Sequence, residues 1–275
     1  MTVFPGQGDL SAIHVETDWS IAEIYPHGAH VTRFQKKGEP PLLFLSQASR
    51  FQANQPIRGG VPLIFPWFGP REGMAAHGFA RVADWDLLET RVLPDGSIRL
   101  HFRLPPDDAC VVDYSVTAGT SLTLELAVSN ISDADFTFEN CLHSYFQVGD
   151  SRQIEITGLR GTRYHDLLLA AEFTETAGAI RIAAEVDRTY QDSAATVEIR
   201  DPVLHRIIRV RKSGSLSTVV WNPWLAKSQR MPDFGDDEYL QMVCVESGNI
   251  AENAVTISPG QCSSLIVEID SQPLA

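Results

Sequence analysis

Cysteine is scarce here: four residues in a chain of 275. Cys110, Cys141, Cys244 and Cys262 are widely spaced and form no CxxC. Neither a disulfide framework nor a zinc site of familiar spacing is expected, and no metal is assigned. Reduced thiols of this kind fit a cytoplasmic protein. Long apolar runs are missing too; nothing approaches the roughly 18 residues of a membrane span. The stretch Met1 to Asp9 has no basic region followed by an apolar run, so no export signal is expected. Positive charge is in short supply, with 22 Lys and Arg against 35 Asp and Glu, a net charge of −13. That balance argues against nucleic acid or an anionic membrane as partner. An anionic ligand would need its own local cations. The phosphate loop GxxxxGKS/T, a GxGxxG after a strand and the GxSxG elbow are all absent, which leaves nucleotide chemistry and a hydrolase triad without support.

What the chain has is strands. Ser121 to Ser129 alternates, with Leu122, Leu124, Leu126 and Val128 on one face, and Ile98–Leu104, Thr196–Arg200 and Ile207–Arg211 alternate likewise. Thr218–Trp221 and Leu240–Val245 read as strands buried on both faces. Pro94-Asp95-Gly96, Gly119-Thr120, Lys212-Ser213-Gly214 and Ser258-Pro259-Gly260 supply turns. A dozen or more short strands, no convincing amphipathic helix, no repeat and no linker predict an all-β sandwich or barrel, with residues 1–275 as one domain and a monomer.

Several polar groups stand out against this background. His143 follows Asn140-Cys141-Leu142, and by strand alternation Cys141, His143 and Tyr145 share a face. An imidazole of ordinary pKa suits proton transfer near neutrality, although a satisfied core histidine is the plainer reading. Glu246 follows the apolar run Met242 to Val245, with Ser247-Gly248 read as turning the chain. A carboxylate ending a buried strand is costly unless paired or functional. Arg58, before Gly59-Gly60, and Arg81, after His77-Gly78-Phe79-Ala80, could clamp an anion or serve ordinary ion pairs. Asp187 is a loop acid, a partner for Arg188, or a ligand contact. Trp221-Asn222-Pro223-Trp224 offers two indoles as a stacking floor or as a seal on the sandwich end. Met231 to Tyr239 reads as a connector that fixes the approach of the Glu246 strand.

Six segments jointly resemble one family: Ile57–Pro62, Phe65-Pro66-Trp67-Phe68-Gly69, His77–Arg81, Leu142–Phe146, Val220–Trp224, and Asp233–Tyr239 running into Cys244-Val245-Glu246. In this order they resemble the aldose 1-epimerase superfamily, and the last two favour its sugar-phosphate branch. The resemblance implies a large antiparallel β-supersandwich of galactose mutarotase type. It implies cofactor-free interconversion of the α and β anomers of a hexose 6-phosphate, glucose 6-phosphate first among them. His143 and Glu246 match the catalytic pair, with Glu246 as base and protonated His143 as acid. Arg58, Arg81 and Asp187 match substrate-binding positions, and His77 and Trp67 lie in the same matching segments and are assigned to the substrate. One position departs from the pattern: the residue before His77, often Gln in relatives, is Ala76 here. Two other readings compete: a glycosidase using Asp187 and Glu246 as its carboxylate pair, and a non-catalytic sugar-phosphate binder on the same scaffold.

Overall fold

The computed structural model describes residues 1–105 and 107–274. Two eight-stranded antiparallel sheets dominate it. One runs in the order Glu155–Thr157, Val197–Asp201, Arg206–Ser213, Cys262–Pro273, Leu122–Asn130, Cys110–Ala118, Ile98–Arg103, Asp86–Val92. Its alternation is the one read from the sequence: Leu122, Leu124, Leu126 and Val128 are fully buried while the residues between them are half-buried. The second sheet runs Ala171–Thr174, Arg163–Asp166, Val186–Tyr190, Ser217–Asn222, Met242–Asn249, Asn140–Leu142, Leu63–Ile64, with Tyr145–Gln147 also paired to Met242–Asn249. A four-stranded sheet from Thr2 to Lys36 and a two-stranded ribbon complete the β structure. The only α-helix among the described residues is the single turn Trp224–Ser228.

The second sheet is apolar on both faces, and that places the polar site. On Met242–Asn249, Val243 and Val245 point into the main core shared with the first sheet. Met242 and Cys244 point the other way, into a smaller cluster with Phe44, Tyr145, Trp221 and Phe234. Strand alternation carries Glu246 onto this second face. The neighbouring strand splits in the same way, with Val220 in the main core and Val219 and Trp221 in the smaller cluster.

Three sequence expectations need correction. The strand holding Glu246 does not end there; it continues to Asn249, so the carboxylate sits inside the strand. Gly248 is not a turn residue. A Cβ on it would lie 2.5 Å from the Asn140 carbonyl oxygen and 2.8 Å from the Cys141 Cβ, so glycine permits close strand pairing there. The turn expected at Lys212-Ser213-Gly214 begins only at Gly214, because the strand Arg206–Ser213 stays paired to Cys262–Pro273 through Ser213.

Candidate active site

Register builds the floor of the site. Asp187 pairs with Trp221, Trp221 with Cys244, and Cys244 with Tyr145, so four strands deliver side chains to one row. Val219 pairs with Glu246 one step along. His143 lies in the break between Asn140–Leu142 and Tyr145–Gln147, where its backbone N–H donates to the Pro62 carbonyl rather than to the sheet. Above this floor opens a cavity of about 300 Å³, lined among others by Arg58, His77, His143, Asp187, Trp221 and Glu246.

His143 and Glu246 face each other directly, with Nε2 3.2 Å from Oε1. The carboxylate is 1% exposed and the imidazole 12%. Burial, and then the charge of Asp187, push the Glu246 carboxyl well above the usual range. Burial also pushes His143 well below its ordinary value, assisted by His77, Arg58 and Arg81. Burial thus disfavours charge on both members of the pair. This departs from the imidazole of ordinary pKa read from the sequence; a buried ring flanked by two guanidinium groups resists a positive charge. The ring is fixed from both sides. It stacks on Tyr145 at 4.9 Å with 14° between planes, and meets Trp221 and His77 edge-on.

Arg58 and Arg81 differ in a way the sequence does not show. The Arg58 guanidinium donates through Nε and Nη2 to Asp233, at 3.2 and 3.0 Å, and through Nη1 to the Tyr145 hydroxyl at 3.0 Å. Burial opposes its charge, but Tyr145 and Asp233 outweigh burial and hold its pKa above normal. The segment Met231 to Tyr239 thus supplies Arg58's counter-ion, beyond the connector role expected of it. Arg81 has no carboxylate in ion-pair reach among the described residues. Its Nη2 donates to the Ala76 carbonyl at 2.7 Å, and burial with repulsion from Arg58 pulls its pKa down to about 10. Arg81 does not line the cavity wall, but its charge bears on both His77 and His143.

His77 reaches the cavity from a left-handed backbone, φ 67°, followed by Gly78 at φ 70°. A Cβ on Gly78 would stand 1.9 Å from the Phe65 carbonyl oxygen, so only glycine fits this crossing. The His77 Nδ1 accepts from the Gly69 N–H, and burial followed by Arg81 and Arg58 pushes its pKa to about 3. It is a neutral group at working pH. Trp67 does not line the cavity. Its indole N–H donates to the Ala75 carbonyl and its ring lies under Arg71, which braces the loop carrying His77.

Asp187 is in the cavity, and its partner is Lys227 at 3.6 Å rather than Arg188, which pairs with Asp166 and Glu175. Burial raises the Asp187 pKa, with Lys227 opposing. Lys227 escaped sequence reading because the helical turn Trp224–Ser228 folds it back over the Trp221 ring. Only one of the two indoles is a floor: Trp221 lines the cavity, while Trp224 packs on Tyr239. Cys141 also enters the site, donating from its thiol to Glu246 Oε2 at 3.6 Å. His143, Cys244 and Glu246 bring their side-chain ligand atoms within 4.8 Å of one another, while the Cys141 thiol reaches Glu246 at its other oxygen.

A family model described as aldose 1-epimerase matches residues 12–269. A "Putative glucose-6-phosphate 1-epimerase" of Escherichia coli strain K12 is 34% identical over 257 residues, 89% of this chain and 85% of that protein. A protein of the same name from Cenchrus ciliaris is 33% identical over 257 residues, 87% of this chain and 78% of that one. Among solved structures, a "putative mutarotase (YeaD)" from Salmonella typhimurium superposes with a TM-score of 0.90 at 30% identity, covering 99% of this chain and 97% of that one.

Proposed function

The chain belongs to the aldose 1-epimerase family, and from that premise we propose that it interconverts the α and β anomers of a hexose 6-phosphate, with glucose 6-phosphate the first candidate. Interconversion of sugar anomers is the family's chemistry. The phosphate-bearing substrate and the residue roles are our reading. The observation that carries it is the 3.2 Å contact of His143 and Glu246 in a cavity that Arg58 lines, with the charge of Arg81 also bearing on His143.

The reaction needs one base and one acid on the same face of a sugar. Glu246 takes the proton of the anomeric hydroxyl. The C1–O5 bond breaks, its electron pair goes to the ring oxygen, and His143 supplies the proton there. The product is the open aldehyde. Rotation about C1–C2 turns the other carbonyl face; as the O5 hydroxyl attacks C1, His143 takes its proton back from O5 and Glu246 gives its proton to the carbonyl oxygen. No electron sink or metal is required. The acid role needs a protonated His143, which burial and the nearby guanidinium groups oppose. A phosphate dianion beside Arg58 and Arg81 offsets two of the charges that keep His143 neutral, so the substrate itself favours the charged pair. Remote binding energy then serves the reacting centre. In this reading Asp187, and Lys227 over the Trp221 ring, bind ring hydroxyls.

The glycosidase reading finds less support: Asp187 is tied to Lys227, while Glu246 meets an imidazole. Anomer-exchange NMR on glucose, galactose and mannose 6-phosphates and on free glucose tests the proposal. Exchange accelerated for a 6-phosphate well beyond free glucose is the expected result. Binding without acceleration would point to the non-catalytic binder instead.

A further inference from the structure

Glu246 has two oxygens, and the acid–base reading uses one. Oε1 faces His143 and the cavity; Oε2 points back into the sheet, where it meets only the Cys141 thiol among the hydrogen-bond partners of the described residues. That contact is built rather than incidental. Cys141 pairs with Gly248 across the two strands, and a Cβ on Gly248 would come within 2.9 Å of the Cys141 sulfur. The glycine two residues after Glu246 thus holds open the space the thiol occupies. Burial, then the charge of Glu246, drive the Cys141 pKa far up, so the sulfur keeps its proton and can only donate. A weak, fixed donor suits a carboxyl that must exchange its proton every half-cycle: it anchors one oxygen without competing for the other.

We propose that Cys141 is a positioning residue, whose S–H holds Glu246 Oε2 so that Oε1 stays aimed at the anomeric hydroxyl and at His143. The inference rests on the acid–base role given to Glu246 above. The other groups bearing on this carboxyl are His143 in the strand break, Asp187 on Val186–Tyr190, Cys244 on its own strand and Tyr145 on Tyr145–Gln147; each reports a link to Glu246 or shifts with it. Lys212, from the strand Arg206–Ser213 in the other sheet, acts on Cys141. None of these supplies a second donor to Oε2.

The test compares Cys141→Ala, which removes the donor, with Cys141→Ser, which keeps one. The readouts are the ¹³C titration of the Glu246 carboxyl, assigned with Glu246→Gln, and the kcat and KM of glucose 6-phosphate against pH. A donor to the carboxylate favours its ionised form, so its loss raises the Glu246 pKa. In C141A the titration and the acid limb of kcat should move up by about half to one pH unit, a modest shift because S–H is a weak donor. Near neutrality kcat should fall about three- to tenfold with KM nearly constant, and C141S should restore both. A Glu246 titration identical in wild type and C141A, or C141S behaving as C141A does, would overturn the proposal. The titration needs no turnover. An inactive wild type with the C141A shift intact would sink the epimerase assignment of the site and leave the thiol contact standing.

Discussion

At the scale of the residue, what matters is where one proton lies. His143 and Glu246 meet across 3.2 Å in surroundings that disfavour charge on either. On the proposed mechanism neither acts alone, and the two form one proton-transfer unit. His143→Ala and Glu246→Gln should each lower anomer exchange by about 10²–10⁴-fold. The double variant should be little worse than either single, because the pair acts as a unit. Near wild-type NMR exchange in either single would remove that residue from the mechanism. The two arginines should separate in the same assay. Arg81, with no carboxylate partner among the described residues, is free to meet a phosphate. Arg81→Ala should cut kcat/KM for glucose 6-phosphate by about 10- to 150-fold, the loss of one charge-assisted contact, and leave free glucose nearly unchanged. Arg58 also holds Tyr145, which stacks on His143. Arg58→Ala should therefore depress both substrates. Equal selectivity losses in the two variants would mean that the ion pair with Asp233 does not alter Arg58's role.

At the scale of the element, strands place the site and loops complete it. The strand patterns were legible because burial on one or both faces writes a period of two into the sequence, as at Leu122–Val128 and Met242–Val245. Glu246 was legible as a charge in an apolar run, but its interior position was not: Ser247-Gly248 looks like a turn unless the close pairing with Asn140 and Cys141 is known. Asp233, Lys227 and Tyr145 come together through contacts distant in sequence, for which no local pattern exists. Another such contact is His30, on His30–Lys36, whose Nε2–H donates to the Gly59 carbonyl beside Arg58 at 2.7 Å. It is fully buried, its Nδ1 has no partner, and burial pushes its pKa to about 3. The unfolded chain protonates near pH 6.5 and the folded one only near pH 3. Stability is therefore full above about pH 6.5 and is lost as pH falls, by at most about 1.4 kcal/mol per pH unit from this group. His30→Gln, which can donate but does not titrate, should flatten the urea-measured decline between about pH 6 and 4. An unchanged slope would mean that His30 already charges in the folded protein.

At the scale of the whole molecule, the fold sets two electric fields against each other. On the proposed reading, a net charge of −13 repels a sugar phosphate at a distance, while Arg58 in the cavity wall and the nearby charge of Arg81 attract it. The sandwich makes this possible: the second sheet is buried on both faces, so the guanidinium groups sit in partly desolvated surroundings where their charge is less screened than the surface acids. At about 0.01 M salt the Debye length is roughly 30 Å, and the surface acids act together on an approaching dianion; at about 0.1 M it is roughly 10 Å and their reach is short. Raising sodium chloride over that range should raise kcat/KM for glucose 6-phosphate, where encounter limits the rate, because far-field repulsion is screened before near-field attraction. Sulfate at the same ionic strength should compete, since it can occupy the arginines as the phosphate does. Free glucose carries no charge and should respond to neither salt. A steady fall of glucose 6-phosphate turnover with chloride from the lowest ionic strength would show that the local cations, not the surface acids, govern the approach as well as the binding.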